Sequence, residues 1–189
     1  MRIIAGQSRG RKIDAPEGRN TRPTLDRVRE NLFNMLQGEV PGSRVLDLFA
    51  GSGALSLEAI SRGAAEAVLA DHDRNAVRVQ HKNIESLGYG GCTTVLFMDW
   101  KTAVEELIRR GMVFDLVFLD PPYSMTDLRD VFRSLEPLLS EQALIVLEHK
   151  AGEKPDTGNG FACFRERNWG YCGVSFFRTI VEKKTVEVL

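Results

Sequence analysis

An α/β protein with a mostly parallel sheet covered on both faces is the fold the sequence predicts, on three observations. From residue 44 onward, apolar runs of strand length alternate with helical patterns across short breaks, as crossover helices over a parallel sheet require. Several of these runs carry an aspartate at or near their carboxyl end, the sheet edge where open α/β folds bind ligands. The chain then closes with two strand-like segments joined so tightly that they should pair antiparallel.

Residues 1–22 place the extended stretches Arg2-Ile3-Ile4 and Lys12-Ile13-Asp14-Ala15 around Gly6-Gln7-Ser8-Arg9-Gly10-Arg11. This reads as a small hairpin with an arginine-bearing turn and slight core potential. Thr24 is the expected helix N-cap, with Asp26 in the first turn, and Leu25, Val28, Leu32, Met35 and Leu36 recur at helical spacing until Gly38. Strands are predicted over 44–49, 67–70, 94–98, 114–119 and 143–147, and helices over 54–62, 74–87, 100–110 and 127–139. Gly63, Gly88 and Gly111 stand where left-handed caps would end helices, and Pro137 should make the last helix end irregularly. Residues 151–160 form a flexible loop by composition, and strands over 161–167 and 174–181 follow.

With 189 residues, 43% apolar and 27% charged, the chain fits one domain with a short appendage. The expected division is a basic hairpin extension over 1–23 and the main domain, with its N-terminal helix, over 24–189. Apolar runs such as 143–147 are too short to cross a bilayer, and the N-terminus lacks a signal-peptide plan, so a cytoplasmic protein is expected. Cys92, Cys163 and Cys172 lack a C-x-x-C spacing, and His72, His81 and His149 are not clustered with them. Neither a disulfide framework nor a metal site is expected. The net charge of -1 hides an asymmetry: residues 1–30 carry +4 and the remainder -5. A basic end on an acidic body suits contact with a polyanion, or else a solvated tail.

Two stretches carry the candidate chemistry. In Val45-Leu46-Asp47-Leu48-Phe49-Ala50-Gly51-Ser52-Gly53-Ala54, a carboxylate precedes a glycine turn between strand and helix, and glycine allows a ligand to approach the backbone closely. The run lacks a complete G-x-G-x-x-G pattern and a Walker lysine, which disfavours a dinucleotide or a triphosphate. Asp47 would repel phosphate but suit an ammonium group. Asp71 follows the second strand at the spacing of a ribose-hydroxyl acceptor, Asp73 reads as a helix cap, and Asp99, beside Trp100, ends the third strand where it would accept from an adenine amine. In the other stretch, Asp120-Pro121-Pro122-Tyr123 ends the strand 114–119. Proline cannot continue a ladder and keeps the preceding residue extended, so Asp120 and Pro121 should stand at the carboxyl edge of the sheet. Alone, these four residues read equally well as a proline-rich turn.

Taken together, the strand-end acids and the glycine turn resemble the Rossmann-like class of S-adenosylmethionine-dependent methyltransferases. Asp120-Pro121-Pro122-Tyr123 resembles the Asp/Asn-Pro-Pro-Tyr signature of its amino-methylating branch. Met1-Arg2-Ile3-Ile4-Ala5-Gly6, Gly10-Arg11-Lys12, Thr21-Arg22-Pro23-Thr24 and residues 26–36 further resemble the N-terminal region of the bacterial RsmD family, whose members methylate the exocyclic N2 amine of a guanine in 16S ribosomal RNA. The resemblance implies a seven-stranded sheet with its last strand antiparallel. It implies that Asp47, Ala50, Gly51, Ser52 and Gly53 hold the methionine part of S-adenosylmethionine, Asp71 its ribose, and Asp99 and Trp100 its adenine. Asp71 stands where a longer glutamate is common in the family.

The resemblance also implies that Asp120, Pro121, Pro122 and Tyr123 are catalytic. The aspartate and a prolyl carbonyl would accept the two amine hydrogens, and Tyr123 would stack on the base; the alternative for Tyr123 is a core-filling aromatic. Arg9, Arg11, Lys12, Arg22, Arg27 and Arg29 would engage phosphates of 16S ribosomal RNA within an assembling small subunit. Competing readings are an adenine-N6 or cytosine-N4 methyltransferase on DNA or RNA, an inactive nucleic-acid-binding module, and a nicotinamide oxidoreductase.

Overall fold

The computed structural model describes residues 1–16 and 23–180. Its elements run α1 (Pro23–Met35), β1 (Arg44–Asp47), α2 (Ala54–Ser61), β2 (Glu66–Asp71), α3 (Arg74–Leu87), β3 (Thr93–Phe97), α4 (Trp100–Arg109), β4 (Phe114–Leu119), α5 (Arg129–Leu135), β5 (Leu139–Lys150), β6 (Phe161–Trp169) and β7 (Cys172–Thr179). The seven strands lie in the order β3-β2-β1-β4-β5-β7-β6. Strands β1 to β5 are parallel, whereas β7 inserts antiparallel between β5 and β6. From β1 the chain builds outward through β2 and β3, then crosses back to lay β4 on the other side of β1. That reversal makes the β1/β4 boundary the switch point, where crossover loops part and leave a crevice at the carboxyl edge.

The sheet's two faces carry separate apolar cores. Alternation along each strand sends Val45, Leu116, Phe118, Leu144 and Val146 into one core, with Leu32 and Phe33 of α1, Leu57 of α2 and Ile84 of α3. Their neighbours Leu46, Val117, Leu119, Ile145 and Leu147 join Leu107 of α4 and Phe132 of α5 in the other. Central strands buried on both faces read as nearly continuous apolar runs, as β4 does from Leu116 to Leu119 after Phe114 and the half-buried Asp115.

The N-terminal hairpin forms, with Arg2 and Lys12 paired antiparallel. Its core contribution, expected to be slight, is not: Ile3 is 1% exposed and Ile13 3%, both inside the α1 core. Glu58 of α2, wholly buried, accepts from the Ile4 and Ala5 amides at 2.7 and 3.0 Å and so fixes the hairpin. Gly6, at φ 79°, presses on α2 so closely that a Cβ there would lie 1.8 Å from the Ser61 carbonyl oxygen.

Other departures have local causes. Helix α1 begins at Pro23 rather than after Thr24, since a proline is tolerated in the first turn, where no amide is needed. Helix α5 begins at Arg129 because Asp127 forms a parallel bridge with Asp156, and it tightens into a 3-10 turn over Glu136–Leu138 around Pro137. The same bridge anchors the loop 151–160, which otherwise holds only turns and bends. The Leu128 amide donates to the Asp156 carbonyl at 2.7 Å and the Asp156 amide to the Thr126 carbonyl at 2.9 Å. Val181, predicted as a strand end, lies outside the described residues, and β7 ends at Thr179.

Candidate active site

Sheet and turn geometry bring most of the predicted residues to one crevice. β1 ends at Asp47, and the chain turns through Gly51 and Gly53, at φ 53° and 79°, into α2. Only glycine adopts these angles without strain. At Gly53 space is closed as well, because a Cβ would meet Leu69 Cδ2 at 2.7 Å. The Gly51 amide donates to Asp71 Oδ2 at 2.8 Å, Gln80 Nε2 donates to the Gly51 carbonyl at 2.9 Å, and Asn83 Nδ2 donates to the Ser52 carbonyl at 3.0 Å. Gln80 and Asn83 are buried on the sheet-facing side of α3, and sequence reasoning missed both. The available signal was two amides at helical spacing among Ala76, Ile84 and Leu87. Asn83 also exchanges two hydrogen bonds with the Asp14 backbone, tying the N-terminal segment to the glycine turn.

Asp47 is the most perturbed acid of the crevice. It is 1% exposed, and Ser56 donates to its Oδ2 at 3.0 Å, while Oδ1 has no hydrogen-bond partner. Burial, reinforced by the charge of Asp71 and opposed by Ser56, pushes its pKa up to about 7. With Ala50, Gly51 and Ser52 it lines a cleft roofed by Val28, Arg29 and Leu32 of α1, and the far wall carries Asp120 and Glu148. Asp120 also lines the adjoining cleft, with Phe49, Gly51, Asp71, Trp100 and Pro122. A third recess, lined by Pro121, Pro122 and Tyr123, shares Glu148 with the first. Asp120 is thus shared by the first two spaces and Glu148 by the first and third.

The structure separates the remaining expectations. Gly53 shapes the turn without lining either cleft beside it. Asp99 caps α4: its oxygens accept from the Lys101 amide, the Thr102 amide and the Thr102 hydroxyl at 3.0, 3.1 and 2.7 Å. These bonds, the Thr102 hydroxyl foremost, lower its pKa. It is not among the residues lining the clefts, whereas its neighbour Trp100 is. Asp73 caps α3 as expected. Tyr123 is 39% exposed rather than core-filling, and its hydroxyl donates to Glu148 Oε1 at 3.3 Å. Burial and then the Glu148 charge raise its pKa above the ordinary phenol value. The Pro122 carbonyl accepts from the Met125 amide at 2.8 Å, which takes up one of its two acceptor positions.

Among the basic residues, Arg9, Arg11, Lys12 and Arg27 are exposed, and Arg9 and Arg27 flank one surface recess with Arg2. Arg11 also donates to the Ser86 carbonyl. Arg22 lies outside the described residues. Arg29 is a correction: at 5% exposure it is buried, paired with Asp26 at 3.0 Å and Glu58 at 3.9 Å, and it donates to the Arg2 carbonyl. These partners tie α1, α2 and the hairpin together, and Arg29 lines the cleft of Asp47 rather than the exposed basic surface. Among the described residues no group of three or more His, Cys, Asp or Glu side chains is placed to hold a metal ion, and no helix is long and apolar enough to cross a membrane.

Comparison with known proteins agrees with this geometry. The family model described as conserved hypothetical protein 95 matches residues 1–178. Ribosomal RNA small subunit methyltransferase D of Escherichia coli strain K12 is 42% identical over 150 residues, 78% of this chain and 74% of the relative. YlbH of Bacillus subtilis strain 168 is 35% identical over 181 residues, 94% of this chain and 98% of the relative. The solved structure of yhhF from Escherichia coli superposes with a TM-score of 0.80 at 36% identity, covering 96% of this chain and 99% of that one.

Proposed function

The chain belongs to the conserved hypothetical protein 95 family, the RsmD family of methyltransferases, and from that premise we propose that it methylates the exocyclic N2 amine of a guanine in 16S ribosomal RNA, using S-adenosylmethionine. One observation carries the reading. Asp120, with its Pro121-Pro122-Tyr123 sequel, stands at the carboxyl end of β4 between the cleft of the glycine turn and the recess of Tyr123.

The residues present fit S-adenosylmethionine. Asp47 offers a buried acceptor, Oδ1, that lacks a partner, and an ammonium group answers both the unmade hydrogen bond and the unpaired charge. The turn through Ala50, Gly51 and Ser52 allows close backbone approach beside it. Asp71 faces the adjoining cleft with Trp100, which suits a ribose and an adenine ring; three bonds already made leave Asp99 only about one of a carboxylate's four acceptor positions. When bound, the cofactor supplies an electrophilic sulfonium methyl group.

The protein's own part is to hold and bias the amine. A guanine amine is a poor nucleophile because its lone pair is delocalised into the ring. Asp120 and the Pro121 carbonyl accept its two hydrogens and favour a pyramidal nitrogen whose lone pair points into the cleft. Positioning of this kind supplies most of the acceleration, and after attack the surplus proton on the cationic nitrogen passes to water. Tyr123, half-exposed beside the prolines, offers its face to a base taken out of its stack, an interaction worth about 1–3 kcal/mol. Residues 1–23 act as the RNA-facing element and 24–189 as the catalytic body, although hairpin and body share one core. The setting is the cytoplasm, on an assembling small subunit.

The direct test is transfer of labelled methyl groups to small-subunit RNA and to partly assembled particles from an unmethylated strain. N2-methylguanosine is the product expected by mass spectrometry. N6-methyladenosine or N4-methylcytidine in its place would overturn the guanine assignment. The arginine–phosphate pairs have their own signature: Arg9→Ala/Arg27→Ala should flatten the salt dependence of RNA binding by about 0.7–0.9 for each phosphate no longer neutralised. An unchanged slope would remove these arginines from the interface.

A further inference from the structure

Glu148 has no role in the chemistry described so far, yet it lines the cleft that contains Asp47 and Asp120. β4 and β5 are parallel neighbours in register through Leu119 and Leu147, so Asp120 and Glu148 are the next residues on adjacent strands. Alternation sends Leu119 and Leu147 into one core, which turns Asp120 and Glu148 together to the opposite face, beneath α1. Both line the cleft that contains Asp47, and Glu148 continues into the recess of Tyr123, whose hydroxyl donates to its Oε1 at 3.3 Å. That bond holds the carboxylate at the wall shared by the cleft and the recess.

We infer that Glu148 is the residue that selects guanine, by accepting the N1–H that lies beside the N2 amine on the base's hydrogen-bonding edge. The inference rests on the proposed function. With Asp120 and the Pro121 carbonyl on the two amine hydrogens, the next group along that edge is N1. In guanine N1 carries a hydrogen, which a carboxylate accepts in a charge-assisted bond. In adenine N1 is a lone pair flanking the amine, and in cytosine N3 is the same; either sets lone pair against carboxylate. A site built to bond a donor rejects a base that lacks it, because its own polar group is then left unpaired. The Asp-Pro-Pro-Tyr stretch accepts any exocyclic amine, and Glu148 narrows the choice.

The test compares guanine with 2-aminopurine, which keeps the N2 amine but presents N1 as an acceptor, at the nucleotide the wild-type protein modifies. Wild type should prefer guanine about 10- to 100-fold in kcat/KM. In Glu148→Gln the carboxamide can turn its NH2 toward the N1 lone pair of 2-aminopurine or its oxygen toward the N1–H of guanine, so the preference should shrink at least tenfold. Where turnover of the variant is too slow to follow, the affinities of the two RNAs, read from 2-aminopurine fluorescence and competition, give the discrimination at the binding step, which should shrink in the same direction. An unchanged ratio in an active or binding-competent variant would overturn the role of Glu148 while leaving methyl transfer intact. Wild-type protein that leaves the guanine RNA unmethylated would instead overturn the proposed function, and this role with it.

Discussion

Asp120→Ala is expected to lower kcat by roughly 10³-fold or more while leaving the affinity for S-adenosylmethionine within a few-fold of wild type. The magnitude follows from removing a preorganised hydrogen-bonding group at a reacting centre, which costs about 10²–10³ for a single such group, and from the loss of its negative charge near a nitrogen that becomes cationic. Cofactor affinity should survive because Asp47 ends β1 and the glycine turn follows it, and the bonds of that turn come from Asp71, Gln80 and Asn83. Asp120→Asn separates two explanations. If the residue acts as a positioned acceptor, the amide oxygen retains much of the rate, within about 10- to 100-fold of wild type, a range that reflects the extra strength of a charged acceptor. If it acts as a base, Asn should be as damaging as Ala. Equal loss in both variants would therefore sink the positioning account, and full turnover in Asp120→Ala would sink the assignment itself. Single-turnover methyl transfer and calorimetric cofactor binding read the two quantities separately.

Much of the fold was legible because its signals are local. The run 114–119 is apolar but for Asp115 and is stopped by Asp120 and two prolines, and β4 has those bounds; Arg74–Leu87 likewise begins after its aspartate cap and ends before Gly88. What local signals miss is partnership across the sheet. β5 was predicted to stop at Leu147, where the apolar run ends, yet it continues to Lys150 because β7 pairs with it through Cys172. That continuation is what carries Glu148 into the site. Arg29 shows the same limit in reverse. Its basic segment suggested an RNA-binding role, but its partner Glu58 belongs to another helix. Asp73 and Asp99 stand alike between a strand and a helix, and each caps the helix that follows. Neither the cap nor a ligand role is distinguishable from sequence position alone, whereas Asp47 declares itself by an unpartnered oxygen that only folding creates.

That oxygen makes Asp47→Asn the second large expected effect, with opposite signs for stability and binding. Burial raises the folded-state pKa from 3.8 to about 7. Between those values the folded protein keeps a proton that the unfolded chain has released, so stability falls as pH rises through the window and the full cost is present above pH 7. About three pKa units correspond to roughly 4 kcal/mol as an order of magnitude. Asparagine cannot ionise and removes this cost, but its amide leaves a donor unpaired where Oδ1 lacks a partner, a loss of about 1–3 kcal/mol. The ligand-free variant should therefore be more stable than wild type at pH 8, by about 1–3 kcal/mol, and should lose that advantage toward pH 4. Cofactor affinity should move the other way. The ionised carboxylate is the counter-charge for a buried ammonium, so wild-type affinity should strengthen as pH rises toward and past 7, and Asp47→Asn should weaken it by about 30-fold or more, as truncation of buried charge pairs does. Denaturant unfolding and calorimetry across pH 4 to 8 measure both trends. Parallel stability profiles for the two proteins would show that Asp47 is not the titrating group, and unchanged affinity would show that the ammonium binds elsewhere. The opposed result would mean that a carboxylate destabilising the empty fold is retained because the ligand completes it.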